Sequence, residues 1–208
     1  MTYQIIPTVF SHNKKEFNLR FNKLIKVSKT LQIDFMDGKF VKAKSISPAQ
    51  VPNIRGKGNF EAHLMVKRPS DYIKKLKIKG FKKVIFHYNT DDNVKTIAKI
   101  RENGMNAFLA LNPEDKIKDA CYLFDLIDGI LLMGHIPGKE HLSLLKKTFR
   151  KIKEIRKINK KIDIQIDGGV NANNIGGLAN AGANIFNTGS FVSEANNSKR
   201  ALKLLSNA

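Results

Sequence analysis

Short β-rich apolar runs alternate along this chain with longer segments that carry apolar residues at helical spacing. The apolar runs at 4–10, 31–35, 60–65, 83–87, 106–111, 129–133, 163–166 and 184–187 predict strands. The segments at 15–29, 70–79, 91–103, 115–126, 142–159, 173–181 and 198–205 predict helices, and 47–51 opens a shorter, weaker element. Start signals such as Pro69-Ser70-Asp71 and Asn112-Pro113-Glu114-Asp115 support these boundaries, as do stop signals at Gly80, Gly104 and Gly182. The strand runs are apolar with little alternation, as expected when both faces of a sheet are covered. Strict strand–helix alternation points to a parallel sheet with right-handed crossovers. Eight repeats within 208 residues favour an α/β fold closed as a (β/α)8 TIM barrel, with residues 1–208 forming one domain. No Gly-x-Gly-x-x-Gly follows the first strand, so a doubly wound dinucleotide fold has no support.

Composition changes this picture little. Hydrophobic residues make up 42% of the chain, enough for one core. No apolar run approaches the roughly 20 residues of a membrane span. Met1-Thr2-Tyr3-Gln4-Ile5-Ile6-Pro7 has no basic stretch ahead of an apolar one, so no signal peptide is expected. Cys121 is the only cysteine, which fits a reducing cytoplasm and reads as a small buried hydrophobe. The formal net charge of +19 raises the question of nucleic acid. The lysines, however, are spread along amphipathic segments such as Lys146–Lys153, where apolar residues interrupt them at helical spacing. They read as solvated helix faces, with nucleic acid not the expected partner and an anionic small molecule favoured by the field.

In a barrel of this kind chemistry sits at the C-terminal strand ends. Polar residues collect there: Gln32-Ile33-Asp34-Phe35-Met36-Asp37-Gly38 after strand two, Glu61-Ala62-His63-Leu64-Met65 on strand three, and Phe86-His87-Tyr88-Asn89 on strand four. Strand six gives Leu132-Met133-Gly134-His135, strand seven Gln165-Ile166-Asp167-Gly168-Gly169, and strand eight Asn187-Thr188-Gly189-Ser190. A carboxylate within an apolar strand is costly unless it is paired or bound to metal, and Asp34 and Asp167 both stand that way on opposite sides of the ring. Asp37 reads equally well as a cap on turn amides. His87 and His135 read as pocket lining or core, and His12 and His141 carry no signal. The glycine turns Gly168-Gly169 and Gly189-Ser190 follow adjacent strands, where backbone amides cradle phosphate in many such barrels.

These residues resemble the ribulose-phosphate 3-epimerase family over essentially the whole chain. Ile5-Ile6-Pro7-Thr8 is similar to its Ile-x-Pro-Ser opening, and Asp34-Phe35-Met36-Asp37-Gly38-Lys39-Phe40-Val41 to its Asp-x-Met-Asp-Gly-x-Phe-Val signature. His63-Leu64-Met65-Val66, Ala110-Leu111-Asn112-Pro113, Asp167-Gly168-Gly169-Val170 and Gly189-Ser190 match further motifs in order. The resemblance implies a ribulose-phosphate-binding barrel that inverts carbon 3 of a ketose phosphate, D-ribulose 5-phosphate or a close analogue. Asp34 and Asp167 would be the acid/base pair. One divalent ion, Zn²⁺, Fe²⁺ or Mn²⁺, bound by Asp34, His63 and Asp167, would stabilise the enediolate. Thr8, Met36, Met65, Met133, Gly138, Gly168, Gly169, Gly189 and Ser190 would contact the substrate or its phosphate. The family's tendency to assemble implies a homo-oligomer.

The chain also departs from the pattern. Gln32 stands where the family has a histidine ligand. Lys42-Ala43 replaces Pro-Asn, and Ile136-Pro137-Gly138-Lys139-Glu140-His141 replaces Asn-Pro-Gly-Phe-Gly-Gly-Gln after strand six. Thr8 replaces a serine. Three readings stay open at this point: a working epimerase with an altered metal site, a phosphosugar-binding barrel without turnover that serves as a sensor or partner subunit, and a basic barrel that binds nucleic acid. Retention of both aspartates and His63 favours the first.

Overall fold

The alternating pattern folds as it reads. In a computed structural model that describes residues 3–208, eight parallel strands close into a barrel in sequence order. Met1 and Thr2, part of the segment read for a leader, lie outside the described residues. The strands are β1 (Gln4–Val9), β2 (Thr30–Met36), β3 (Asn59–Met65), β4 (Lys83–His87), β5 (Asn106–Leu111), β6 (Gly129–Met133), β7 (Asp163–Asp167) and β8 (Ile185–Thr188). The ring closes where Gln4–Pro7 pair with Ile185–Thr188. Each expected strand appears within a residue or two of its anticipated bounds.

The helices are α1 (Lys14–Leu24), α2 (Ile73–Lys79), α3 (Asn93–Glu102), α4 (Ile117–Ala120), α5 (Lys147–Ile158), α6 (Ile175–Ala181), α7 (Ser190–Ser193) and α8 (Ser198–Ser206). Side-chain caps start three of them: Asn13, Asp92 and Asn197 each accept a backbone N–H from the first turn. Gly80 and Gly182 end α2 and α6 in left-handed conformation. Between β2 and β3 the short element is a single 3-10 turn at Pro48–Gln50. Three expectations need correction. The helix expected over 15–29 ends at Leu24, where the N–H groups of Val27 and Ser28 turn back onto Leu24 O. The segment 142–146 is not helical: the backbone N–H of Leu145 donates to Gly134 O, tying it to the loop after β6, and α5 starts only at Lys147. Cys121 is half-buried at the edge of the core rather than buried.

The main core lies between sheet and helices, where outward strand residues such as Ile33, Phe35, Ala62, Leu64, Ile164 and Ile166 meet Phe17, Phe21, Ile152 and Ile155. A smaller apolar cluster, with Ile6, Ile85, Phe108, Leu131 and Met133, fills the barrel interior on the β4–β6 side. The rest of the interior is polar, and that asymmetry positions the site. No helix among the described residues is long and apolar enough to cross a membrane.

Candidate active site

Because side chains alternate along a strand, residues two apart share a face. On β2 the inward pair is Gln32 and Asp34, on β3 Glu61 and His63, and on β7 Gln165 and Asp167. Register aligns Asp34 with His63, Gln32 with Glu61, and Asp167 with Asn187 on β8. The inward faces of adjacent β2 and β3, with that of β7 across the barrel, therefore stack a charged layer at the C-terminal rim above an amide-rich layer deeper in the barrel.

The upper layer is a four-cornered cluster. His63 Nδ1 lies 3.2 Å from Asp34 Oδ1 and 3.2 Å from Asp167 Oδ2. Gln32 Nε2 donates to the same two oxygens, at 3.0 Å to Asp34 and 2.6 Å to Asp167. Behind His63, its Nε2 is 3.0 Å from His87 Nε2, and the two rings stack with centroids 5.1 Å apart. Asp37 lies outside this cluster: it accepts the amides of Lys39, Phe40 and Lys67, the turn-capping role expected of it.

Burial and proximity give the groups different proton affinities. Burial pushes Asp34 up to about 6, against the opposing hydrogen bond from His63. Burial also pushes Asp167 up, but hydrogen bonds from His63 and Gln32 outweigh it and hold this carboxyl below its ordinary value. For His63 burial favours the neutral ring, yet Asp167 and Asp34 together raise it to about 9. His87 is driven well below the usual imidazole value by burial and by the neighbouring His63.

Asp34, His63 and Asp167 each offer one ligand atom, all within 4.8 Å of one another. Tetrahedral ligands roughly 2.1 Å from an ion stand roughly 3.4 Å apart, so the 3.2 Å separations here suit a divalent cation. The three donors thus fit such an ion. Gln32 does not complete the set, because its Oε1 faces away and accepts Asn187 Nδ2 at 2.9 Å.

A cleft opens above this cluster, lined by Thr8, Asp34, His63, Met65, Met133, Gly138, Asp167, Gly168, Gly169, Gly189 and Ser190 among others. Nearly all the residues singled out from sequence meet here. Met36 does not: it packs with Phe10 and Met65 in the wall behind. The Gly168-Gly169 turn has left-handed φ values of 107° and 73°, and space there is tight. A Cβ on Gly168 would lie 2.8 Å from the His135 ring, and one on Gly169 would lie 2.4 Å from the backbone N of Leu144. The turn and the loop after β6 therefore support each other.

Sequence reasoning missed the mouth of the cleft. Arg20 of α1 reaches Glu140 in the β6–α5 loop at 2.7 Å and Glu194 after α7 at 3.1 Å. His141 stands 3.5 Å from Glu194 and also lines the cleft. The sequence held no signal for these pairs, since Arg20 and Glu140 are 120 positions apart.

Known proteins share both the sequence pattern and the fold. A profile described as the "Ribulose-phosphate 3 epimerase family" matches residues 3–193. A protein named ribulose-phosphate 3-epimerase from Buchnera aphidicola subsp. Acyrthosiphon pisum is 31% identical over 208 residues, covering 96% of this chain and 91% of the relative. One of the same name from Escherichia coli K12 is 30% identical over 209 residues, covering 96% and 93%. Among solved structures, KGPDC from Streptococcus mutans superposes with a TM-score of 0.71 at 12% identity, covering 100% of this chain and 97% of that one. That last likeness speaks to the fold alone.

Proposed function

The chain belongs to the ribulose-phosphate 3-epimerase family, and from that premise we propose that it inverts carbon 3 of a ketose phosphate, D-ribulose 5-phosphate or a close analogue, using Asp34 and Asp167 as the two proton-transfer groups. The observation that carries this reading is the pair of carboxylates entering one cleft from β2 and β7, each in contact with His63. A ketose whose carbon 3 lies between them presents one face to each. One carboxylate takes the carbon 3 proton, and the electron pair moves onto the neighbouring carbonyl to give an enediolate. The other returns a proton to the opposite face, which inverts the centre.

The two carboxyls sit in different surroundings, burial dominating at Asp34 and donated hydrogen bonds at Asp167, which is compatible with a division of labour. Asp167, held below its ordinary value, is poised as base, and Asp34, raised to about 6, as acid, with the roles exchanged in the reverse direction. Asp34, His63 and Asp167 would hold one divalent ion, Zn²⁺, Fe²⁺ or Mn²⁺, which when bound supplies Lewis-acid stabilisation of charge on the substrate oxygens. His63 itself orients both carboxylates. Met65 and Met133 give the cleft apolar walls, Thr8 a hydroxyl, and Met36 backs the wall from behind. The turns at Gly168-Gly169 and Gly189-Ser190, with Gly138 across the mouth, would receive the phosphate. The whole chain is read as one barrel unit, in a cytoplasmic setting that its cysteine usage supports.

Solvent deuterium entering carbon 3 of ribulose 5-phosphate is the direct test. No exchange with that sugar or with a six-carbon ketose phosphate, in the presence of added Zn²⁺, Mn²⁺ or Fe²⁺, would overturn the proposal.

A further inference from the structure

Beneath the carboxylates lies a polar layer that proton transfer does not use. Lys83 Nζ donates to Glu61 Oε2 at 2.9 Å and to Gln165 Oε1 at 3.2 Å. Gln165 Nε2 donates to Glu61 Oε1 and, at 2.6 Å, to Asn187 Oδ1. Asn187 Nδ2 donates to Gln32 Oε1 at 2.9 Å, and Gln32 Nε2 donates to Asp34 and Asp167. Glu61, Gln32, Gln165 and Asn187 are all buried. Every amide in this series points its carbonyl toward Lys83 and its NH2 toward the carboxylates.

The sense of the series is not arbitrary. Turning Gln32 alone would set its NH2 against the NH2 of Asn187. Turning Asn187 as well passes the conflict to Gln165. Turning all three ends with the Gln165 NH2 against the Lys83 ammonium and its carbonyl against Glu61. A mismatch of this kind in a buried network has no water to relieve it. None of these five side chains leaves a buried polar atom without a partner.

We propose that Gln32 is a fixed hydrogen-bond donor bridging Asp34 and Asp167, and that Lys83 and Glu61 set its orientation from deeper in the barrel through Gln165 and Asn187. All five are positioning residues. Gln32 then gives no lone pair to an ion in the site, which leaves Asp34, His63 and Asp167 as its ligands among the described residues. The inference deepens the epimerase reading, and its consequence for catalysis rests on that reading.

The chain has four glutamines, Gln4, Gln32, Gln50 and Gln165, so side-chain 15N labelling of glutamine yields four NH2 pairs in a nuclear magnetic resonance spectrum. In the metal-free full-length protein, two pairs are expected to exchange slowly with solvent while those of exposed Gln4 and Gln50 exchange fast. Gln165→Glu removes one slow pair and identifies the other as Gln32. Because the new carboxylate cannot donate to Asn187, this nearly isosteric variant is also expected to shift the Gln32 pair. Lys83→Met should speed Gln32 exchange and Lys83→Arg should restore the wild-type rate. With Zn²⁺ added to the wild type, the Gln32 pair should stay slow. Zn²⁺ affinity should change about tenfold or more in Lys83→Met, as for other residues that orient ligands. Fast exchange of Gln32 in the wild type, or a Gln32 pair unmoved by both Gln165→Glu and Lys83→Met, would overturn the proposal. Should Lys83→Met not fold, Gln165→Glu decides alone. Loss of the epimerase reading in the deuterium assay would leave these resonances as they are, so the two failures are distinguishable.

Discussion

The floor of the cleft and its mouth are built on different principles. Every polar group of the floor sits on a strand, and its direction follows from register: Asp34 beside His63, Asp167 beside Asn187. The mouth sits on loops and is held by long side chains, Arg20 reaching Glu140 and Glu194. Strand-borne groups have little freedom to adjust, which suits proton transfer, where misplacement by an ångström is costly. These pairs tie α1 to two loops and are only partly exposed, and side chains on loops can adjust to a substrate that must enter and leave. The residues that match the family are concentrated on the floor, and the departures at 42–43 and 136–141 on the mouth and its surroundings. Gln32 and the conservative Thr8 are the exceptions, departures carried on strands.

If that contrast is sound, damage to the floor should abolish activity and damage to the mouth should only tune it. The largest effect is expected at the carboxylates. Asp34→Asn and Asp167→Asn keep side-chain shape but cannot exchange a proton, so kcat for epimerisation should fall on the order of 10²–10⁴-fold with the fold intact by circular dichroism. A loss of less than about tenfold in either variant would remove that residue from the proton-transfer pair.

His63 gives the floor a second signature, in stability. Its folded pKa of about 9 lies above its ordinary 6.5, so the folded protein holds this proton more tightly than the unfolded chain does. The stabilisation is therefore full below about pH 6.5 and is lost as pH rises through about 9, and it amounts to roughly 3 kcal/mol. In chelator, Tm should fall across that window in the wild type, and His63→Gln should remove most of the slope. An equal slope in both proteins would mean that His63 is not the titrating group.

The same contrast explains what could be read from the sequence. The strands were legible because period and apolar content agree, and Asp34, His63 and Asp167 because a charge inside an apolar strand demands a partner. The polar layer below them leaves a signal too: Gln32 with Asp34, Glu61 with His63 and Gln165 with Asp167 are each two apart, which puts both members inside the barrel. The role of Gln32 is not legible there, since its orientation depends on Asn187, 155 positions away. Residues 142–146 read as helix because Leu142, Leu144 and Leu145 continue a helical spacing. The segment is held out of a helix where the Leu144 backbone packs on Gly169 and the Leu145 N–H bonds to Gly134 O. Pairs such as Arg20 with Glu140 leave no local pattern at all.

At the mouth, Glu140 and Arg20 should act in opposite directions and more weakly. The Glu140 carboxylate lies 3.7 Å from where a Cβ on Gly189 would stand, beside the turn proposed to receive phosphate. Its charge opposes an incoming anion, and Arg20 offsets it. Glu140→Gln should lower KM severalfold, and Arg20→Ala, which leaves the carboxylate uncompensated, should raise it by a similar factor, with kcat little changed in both. Parallel losses in kcat would join the mouth to the proton-transfer machinery and erase the distinction.

The smallest expected effect belongs to Lys139, and it separates a specific contact from a general field. Lys139 lines the cleft at the loop tip next to Gly138, where the family pattern has an uncharged aromatic residue. A single exposed ammonium near a phosphate contributes through a screened field. Lys139→Ala should therefore raise KM about two- to threefold at low salt and almost not at all at about 0.5 M salt, where the Debye length shortens to roughly 4 Å. An effect that persists at high salt would mean that Lys139 makes a desolvated contact with the substrate. The mouth would then contain one group as tightly placed as those on the floor, and the loop after β6 would determine which sugar phosphate is accepted rather than only how readily it enters.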